Sequence, residues 1–356
     1  MKKKIKALAM ALVLAMSTVS LFGCAGAENQ ASNSGDQKVV RIQVSKDTVC
    51  GVAMQLAAEL GYFEEELNAI GQTCEITVAA SSEIVDLVTS GKVDATFGLA
   101  GNFIQPISNG LAVSFVTGVH KGCTKFYSRA DSGINTLEDL KGKTIGVPTL
   151  SDSSTLNLKR KLNDMGFEFN GPNPDVNFVA YAMPDLAAAL DSKAVDAIGV
   201  HEPMGTKIEA NYDVIKLLDT GEDEKFIDEY CCMAMVTQKL LEENPEGAVA
   251  FAKAVQKGAA FAQANPVEAA RIQLEGQYVS GDVETNSKII EGLDFNPGVK
   301  QARETFSKAF ADLQECGDIA ADLDEAEFTA KAFPVLDGVP ETTTYDVATD
   351  TFTVTN

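Results

Sequence analysis

The stretches SGKVDATFGLA (90–100) and SKAVDAIGVHE (192–202) each end a helical pattern, pass through Val-Asp-Ala, and enter an apolar run that stops in a polar loop. Val93-Asp94-Ala95 matches Val195-Asp196-Ala197 residue for residue. A helix that hands over to a buried strand marks an α/β sheet. Meeting the same corner twice predicts two lobes built on one logic, with strand-end loops facing each other across a cleft. Open α/β sheets hold their ligands at such strand ends.

The rest of the chain keeps the alternation. Val39–Val44, Cys74–Ala79, Ala95–Leu99, Val113–Thr117 and Lys143–Val147 read as strands, and 52–68 reads as a helical stretch. Ser81/Ser82 and Ser151–Ser154 are placed to cap helices, and Thr136 with Asp139 forms a capping-box pattern. Asn244-Pro245 and Asn265-Pro266 open helices with Pro at the first helical position. The expected organisation is 38–120 for the first part of lobe one, 121–220 for lobe two, 221–340 for the return to lobe one and C-terminal helices, and 341–356 for a tail.

The N-terminus points outward from the cytoplasm. Lys2, Lys3, Lys4 and Lys6 precede an apolar run, Ala7–Phe22, too short for a membrane span. Leu21-Phe22-Gly23-Cys24 resembles the bacterial lipobox, which implies a signal peptide over 1–23 and lipidation of Cys24. Residues 24–37 are small and polar and read as a flexible tether. The net charge of −22 becomes −26 once the four lysines of the signal are gone. So acidic a surface disfavours nucleic acid and anionic headgroups, which leaves the lipid as the membrane contact. No C-x-x-C spacing occurs among the seven cysteines, which removes zinc ribbons and thioredoxin-type redox motifs.

Five segments, two of them overlapping the Val-Asp-Ala corners, carry a family likeness. LAAELGYFEEEL (56–67), VTSGKVDATFG (88–98), ADSGINTLEDLKGKTIGVP (130–148), VDAIGVHEP (195–203) and the paired Asn-Pro helices from 243 resemble, in order, solute-binding proteins of ABC importers for nitrate, sulfonate and taurine. The resemblance implies a periplasmic-binding-protein-like type II fold, two α/β lobes joined by a two-crossover hinge. It implies a monomer that closes on a small-molecule ligand and passes it to a permease and its ATPase subunits. Neither a cofactor nor catalysis is implied.

The resemblance and the strand-end rule together place the ligand among Cys50, Ser81, Ser82, Gly101, Asn102, His120, Cys123, Ser151, Ser153, His201 and Glu202. The serines offer helix N-termini, which bind oxyanions without a lysine. Asn102 could orient a polar group, and Glu202 could accept from an amine or hold the hinge. GVHKGC (118–123) reads as the first crossover, with Gly118 and Gly122 supplying backbone freedom. No arginine falls in these loops, which argues against a highly charged anion. Cys50, His120, Cys123, His201 and Met204 also form a soft donor set suited to copper, iron or a chelate, but none has paired ligand spacing, so no metal ligand is assigned. A thiamine-precursor pyrimidine is a second candidate solute. An enzyme resembling thiamine-pyrimidine synthase is the remaining alternative, set against by the lack of an identifiable cofactor lysine.

Overall fold

A computed structural model describes residues 37–356. The expected signal peptide, the expected lipidation at Cys24 and most of the expected tether fall outside the described residues. The first sheet takes β1 (Val39–Lys46), β2 (Thr73–Ala80), β3 (Ala95–Leu99) and β4 (Val113–Lys121). The second takes β5 (Thr124–Arg129), β6 (Lys143–Val147), β7 (Val176–Ala180), β8 (Ala197–His201) and β9 (Val214–Asp219), after which β10 (Tyr230–Thr237) returns to the first. Strand orders are β2-β1-β3-β10-β4 and β7-β6-β8-β5-β9. These are one pattern used twice: three parallel strands, then a crossover strand running antiparallel, then an outer strand.

The Val-Asp-Ala corners set the register of each sheet. Asp94 Oδ2 accepts the Arg41 backbone N–H at 3.0 Å, and the Asp94 N–H donates back to the Arg41 carbonyl at 2.8 Å. In the second lobe Asp196 Oδ2 accepts the Thr144 N–H at 2.9 Å and returns its own N–H to Thr144 at 2.8 Å. Each aspartate therefore clamps the third strand to the first, and the flanking Val93 and Val195 are buried in their cores. A one-residue slip would break the clamp and turn every core side chain outward.

Two crossovers join the sheets, β4 to β5 and β9 to β10. Gly122 sits in the first at φ +60°, and a Cβ there would stand 2.7 Å from Gly221 Cα in the second. Thr220 stitches the two together: its hydroxyl accepts the Cys123 and Thr124 N–H groups at 3.2 and 3.1 Å, and its N–H donates to the Thr124 carbonyl. Gly118, by contrast, lies inside β4 and bridges to Gly298.

Some local expectations change. The helical stretch 52–68 is two helices, Val52–Glu59 and Tyr62–Asn68, parted where Gly61 turns left-handed at φ +76°. Ser81 and Ser82 begin a 3-10 turn without capping it; the Glu83 carboxylate instead accepts the Ala80 N–H at 3.0 Å. Asp152, not a serine, caps helix Ser153–Asp164, because its carboxylate is the stronger acceptor for the Ser154 N–H. Residues 342–355 form a hairpin, β11 (Thr342–Asp346) and β12 (Thr351–Thr355), packed on helix Pro245–Ala264.

Candidate ligand cleft and thiol cluster

The lobes meet where helix Ser153–Asp164 aims its N-terminus at the loop after β3. Asn102 Oδ1 accepts the Ser153 N–H at 2.5 Å, and Asn102 Nδ2 donates to Asp152 Oδ2 at 3.3 Å. Gly101 lies against Ser153. The amide oxygen of Asn102 thus occupies the place at the helix start where an oxyanion would bind. Behind this contact lies a cavity of about 40 Å³, whose wall includes Gly101, Ser153, Asn157, Thr220, Tyr230 and Cys231. Ligand pockets run to roughly 300–1,000 Å³, so the cleft is closed and admits a solute only when the lobes part.

Arg160 also lines this cavity, a residue that a search of the loops misses because it stands within a helix. Its guanidinium is buried, forked onto Glu229 at 2.8 and 2.9 Å and bonded to Asp312 at 2.9 Å. Burial would lower its pKa, but the two carboxylates raise it, so the charge is kept and balanced within the wall. Phe226, Met233, Phe306 and Leu313 complete an apolar side.

His201 and Asp152 form a buried pair within the second lobe, Nε2 to Oδ1 at 2.6 Å. Burial alone would lower the His201 pKa; the Asp152 charge and hydrogen bond outweigh it and push it up to about 10. Asp152 in turn is held below its ordinary value, its burial overcome by His201 and by the Ser154 hydrogen bonds. Glu202 turns away from the closed cavity. It accepts Lys125 Nζ at 2.7 Å and the Thr206 N–H at 3.0 Å, and so caps the start of helix Met204–Asn211.

Strand register gathers the sulfur. Cys232 on β10 is paired with His120 on β4, and directly opposed residues share a face of the sheet. Cys50, in the 3-10 turn Val49–Gly51 after β1, completes a buried trio whose donor atoms lie within 4.8 Å of one another. Cys123 stands alongside: the thiols of Cys231, Cys232 and Cys50, and the His201 ring, pull its pKa down against burial. Sharing a hydrogen with Cys123, then burial, pushes Cys50 and Cys231 up, and burial followed by the Cys123 hydrogen bond does the same to Cys232. Burial also lowers the His120 pKa and keeps its ring neutral.

Gly101, Asn102 and Ser153 are therefore brought together at the lobe contact. Cys50, His120 and Cys123 gather in the first-lobe core and do not line the cavity, and Ser81, Ser82 and Ser151 are exposed. Cys231, Cys232, Glu229 and Arg160 were not among the expected site residues. A Cys-Cys pair in a strand is a visible signal; the irregular register of β10 at that point, which leaves both thiols beside Cys123, and the partner across the sheet are not visible.

Two lobes of this topology, joined by two crossovers and closing over a cavity, define the periplasmic-binding-protein-like type II fold. The family model described as NMT1/THI5 like matches residues 52–269, and the chain belongs to that family. A chain of Brucella abortus (strain 2308) named as a binding protein is 27% identical over 178 residues, 49% of this chain and 54% of that one. The chain spans about half the length of the curated relatives it matches. Among solved structures, the periplasmic aliphatic sulphonate binding protein SsuA of Escherichia coli aligns with a TM-score of 0.68 at 14% identity, covering 84% of this chain and 92% of that chain. The periplasmic nitrate-binding protein NrtA of Synechocystis PCC 6803 aligns with a TM-score of 0.66 at 13% identity, covering 83% and 86%. At such identities the likeness is one of fold.

Proposed function

We propose that this chain is the extracytoplasmic substrate-binding component of an ABC importer. It captures a small polar organic solute or oxyanion, of the sulfonate, taurine or nitrate kind, between its lobes and delivers it to a permease driven by ATPase subunits. Cys24, once lipidated, holds an otherwise soluble monomer at the outer face of the membrane. It is a carrier and not an enzyme.

The observation that carries this reading is the lobe contact, where the Asn102 amide oxygen accepts the Ser153 N–H at the start of helix Ser153–Asp164. A sulfonate or nitrate oxygen that displaced Asn102 would find the same donor, the Ser153 N–H. The neighbouring wall has an apolar side of Phe226, Met233, Phe306 and Leu313, and its one arginine is already balanced by Glu229 and Asp312. Such a wall suits a singly charged head on a short organic body and rejects a phosphate ester.

Thermal-shift and calorimetric titration across alkanesulfonates, taurine, nitrate, pyrimidines and short carboxylates tests it. At least one sulfonate, taurine or nitrate should raise the melting temperature and bind with one-to-one stoichiometry, unchanged on recovery. If only pyrimidines bind, or if any compound is turned over, the reading fails.

A further inference from the structure

We propose that Cys50, His120 and Cys232 form a binding site for a soft metal ion, Cu(I), inside the first lobe. The three donors lie within 4.8 Å of one another and are buried, although they come from a turn, β4 and β10. Buried thiols alone pack as small apolar groups, so the weight falls on the histidine. His120 is fully buried between the rings of Phe97 and Phe295, and its Nε2 has no hydrogen-bond partner. Its Nδ1 lies 3.2 Å from the Lys121 carbonyl. A carbonyl only accepts, so Nδ1 carries the proton and the Nε2 lone pair is left free. Fixing a ligand histidine through its other nitrogen is how proteins orient metal sites.

The donor set selects the ion. Two sulfurs and one imidazole, with no carboxylate among them, favour soft metals over magnesium, calcium or manganese. Cu(I) is satisfied by three such donors, whereas a structural Zn(II) calls for four; Cys123, though it meets the two thiols, is not within the 4.8 Å that joins all three donors. On binding, a coordinating thiol becomes a thiolate and its proton leaves to solvent. Cys231, the neighbour of Cys232, lines the interlobe cavity, so the opened cleft brings solvent to within one residue of the site. The site is separate from the solute contact at Asn102 and Ser153 and stands whichever solute the cleft takes.

Titration of the full chain with Cu(I) under oxygen-free, reducing conditions, against a chromogenic Cu(I) chelator, tests the assignment. One equivalent should be withheld from the chelator. His120→Ala, Cys50→Ser and Cys232→Ser should each weaken binding by more than about 100-fold, beyond the ~10–100-fold expected for an outer-shell neighbour. Cys316→Ser, a buried thiol remote from the trio, should bind as the wild type does. X-ray absorption on the copper-loaded wild type gives an answer that does not depend on variant folding, and should show two sulfurs and one nitrogen. Failure to hold one equivalent, undiminished binding in His120→Ala, displacement by equimolar Zn(II), or a sulfur-only shell would overturn it.

Discussion

At the scale of single residues, the buried His201–Asp152 pair ties the stability of the second lobe to pH. His201 has a folded pKa of about 10 against an ordinary value near 6.5. A raised histidine contributes stability that is whole below the unfolded value and is lost as pH climbs through the folded one. Asp152 works the other way: its lowered pKa gives stability above its ordinary value that is lost as acid protonates it. The window opens near pH 6.5, the ordinary histidine value. Because the raised thiols Cys50, Cys231 and Cys232 also hold protons that the unfolded chain releases at alkaline pH, the difference from His201→Gln, not the wild-type curve alone, reports the pair. Between about pH 6.5 and about 10, folded His201 still holds a proton that the unfolded chain has given up. Wild-type stability should therefore fall toward that of His201→Gln across this range, with the gap between them narrowing. Urea denaturation of both proteins at half-unit pH steps measures it, and a gap that stays constant would contradict the pairing.

At the scale of elements, the crossovers are the parts least tolerant of change. Gly122 combines a left-handed backbone with the Gly221 backbone packed where a Cβ would go. Gly133 has a similar φ of +76° but nothing within 4 Å of that position. Gly133→Ala should cost only backbone strain, about 1 kcal/mol. Gly122→Ala should cost clearly more, because two crossovers must also separate, and chemical denaturation of the two variants ranks them. What the sequence disclosed follows the same division. The Val-Asp-Ala corners and the Asn-Pro helix starts were legible because they act on neighbours in sequence or through an obvious strand pattern; Asn244 Oδ1 does accept the Gly247 N–H at 3.3 Å. The trio of Cys50, His120 and Cys232 was not legible, since strand order alone brings β10 beside β4. Arg160 was passed over for another reason: attention to strand-end loops overlooks a helix side chain that reaches a cavity two turns beyond the helix start.

At the scale of the whole molecule, the repeated topology makes each lobe a self-sufficient sheet with its own core, so the relation between lobes can change without unfolding either. What holds them closed is local: the two Asn102 hydrogen bonds to the start of helix Ser153–Asp164, the ion pairs from Lys159 to Asp318 and from Arg160 and Lys225 to Asp312, and Leu156 packed into the first-lobe apolar cluster. The neutral bond from Ser153 N–H to Asn102 is worth about 1 kcal/mol net, and the charge-assisted bond from Asn102 to Asp152, long at 3.3 Å, about as much. Asn102→Ala removes both, and a change of about 2 kcal/mol moves a two-state ratio by roughly 30-fold. Without solute the variant should shift toward the open form, seen as a larger radius of gyration in small-angle scattering. The buried side chains of both lobes are untouched, so urea denaturation should show a loss no larger than the ~2 kcal/mol removed at the contact. An oxyanion solute taking the Asn102 place would restore the bond to Ser153 N–H, and saturating solute should bring the two scattering profiles together. If Asn102→Ala is as compact as the wild type without solute, the lobe contact does not govern closure.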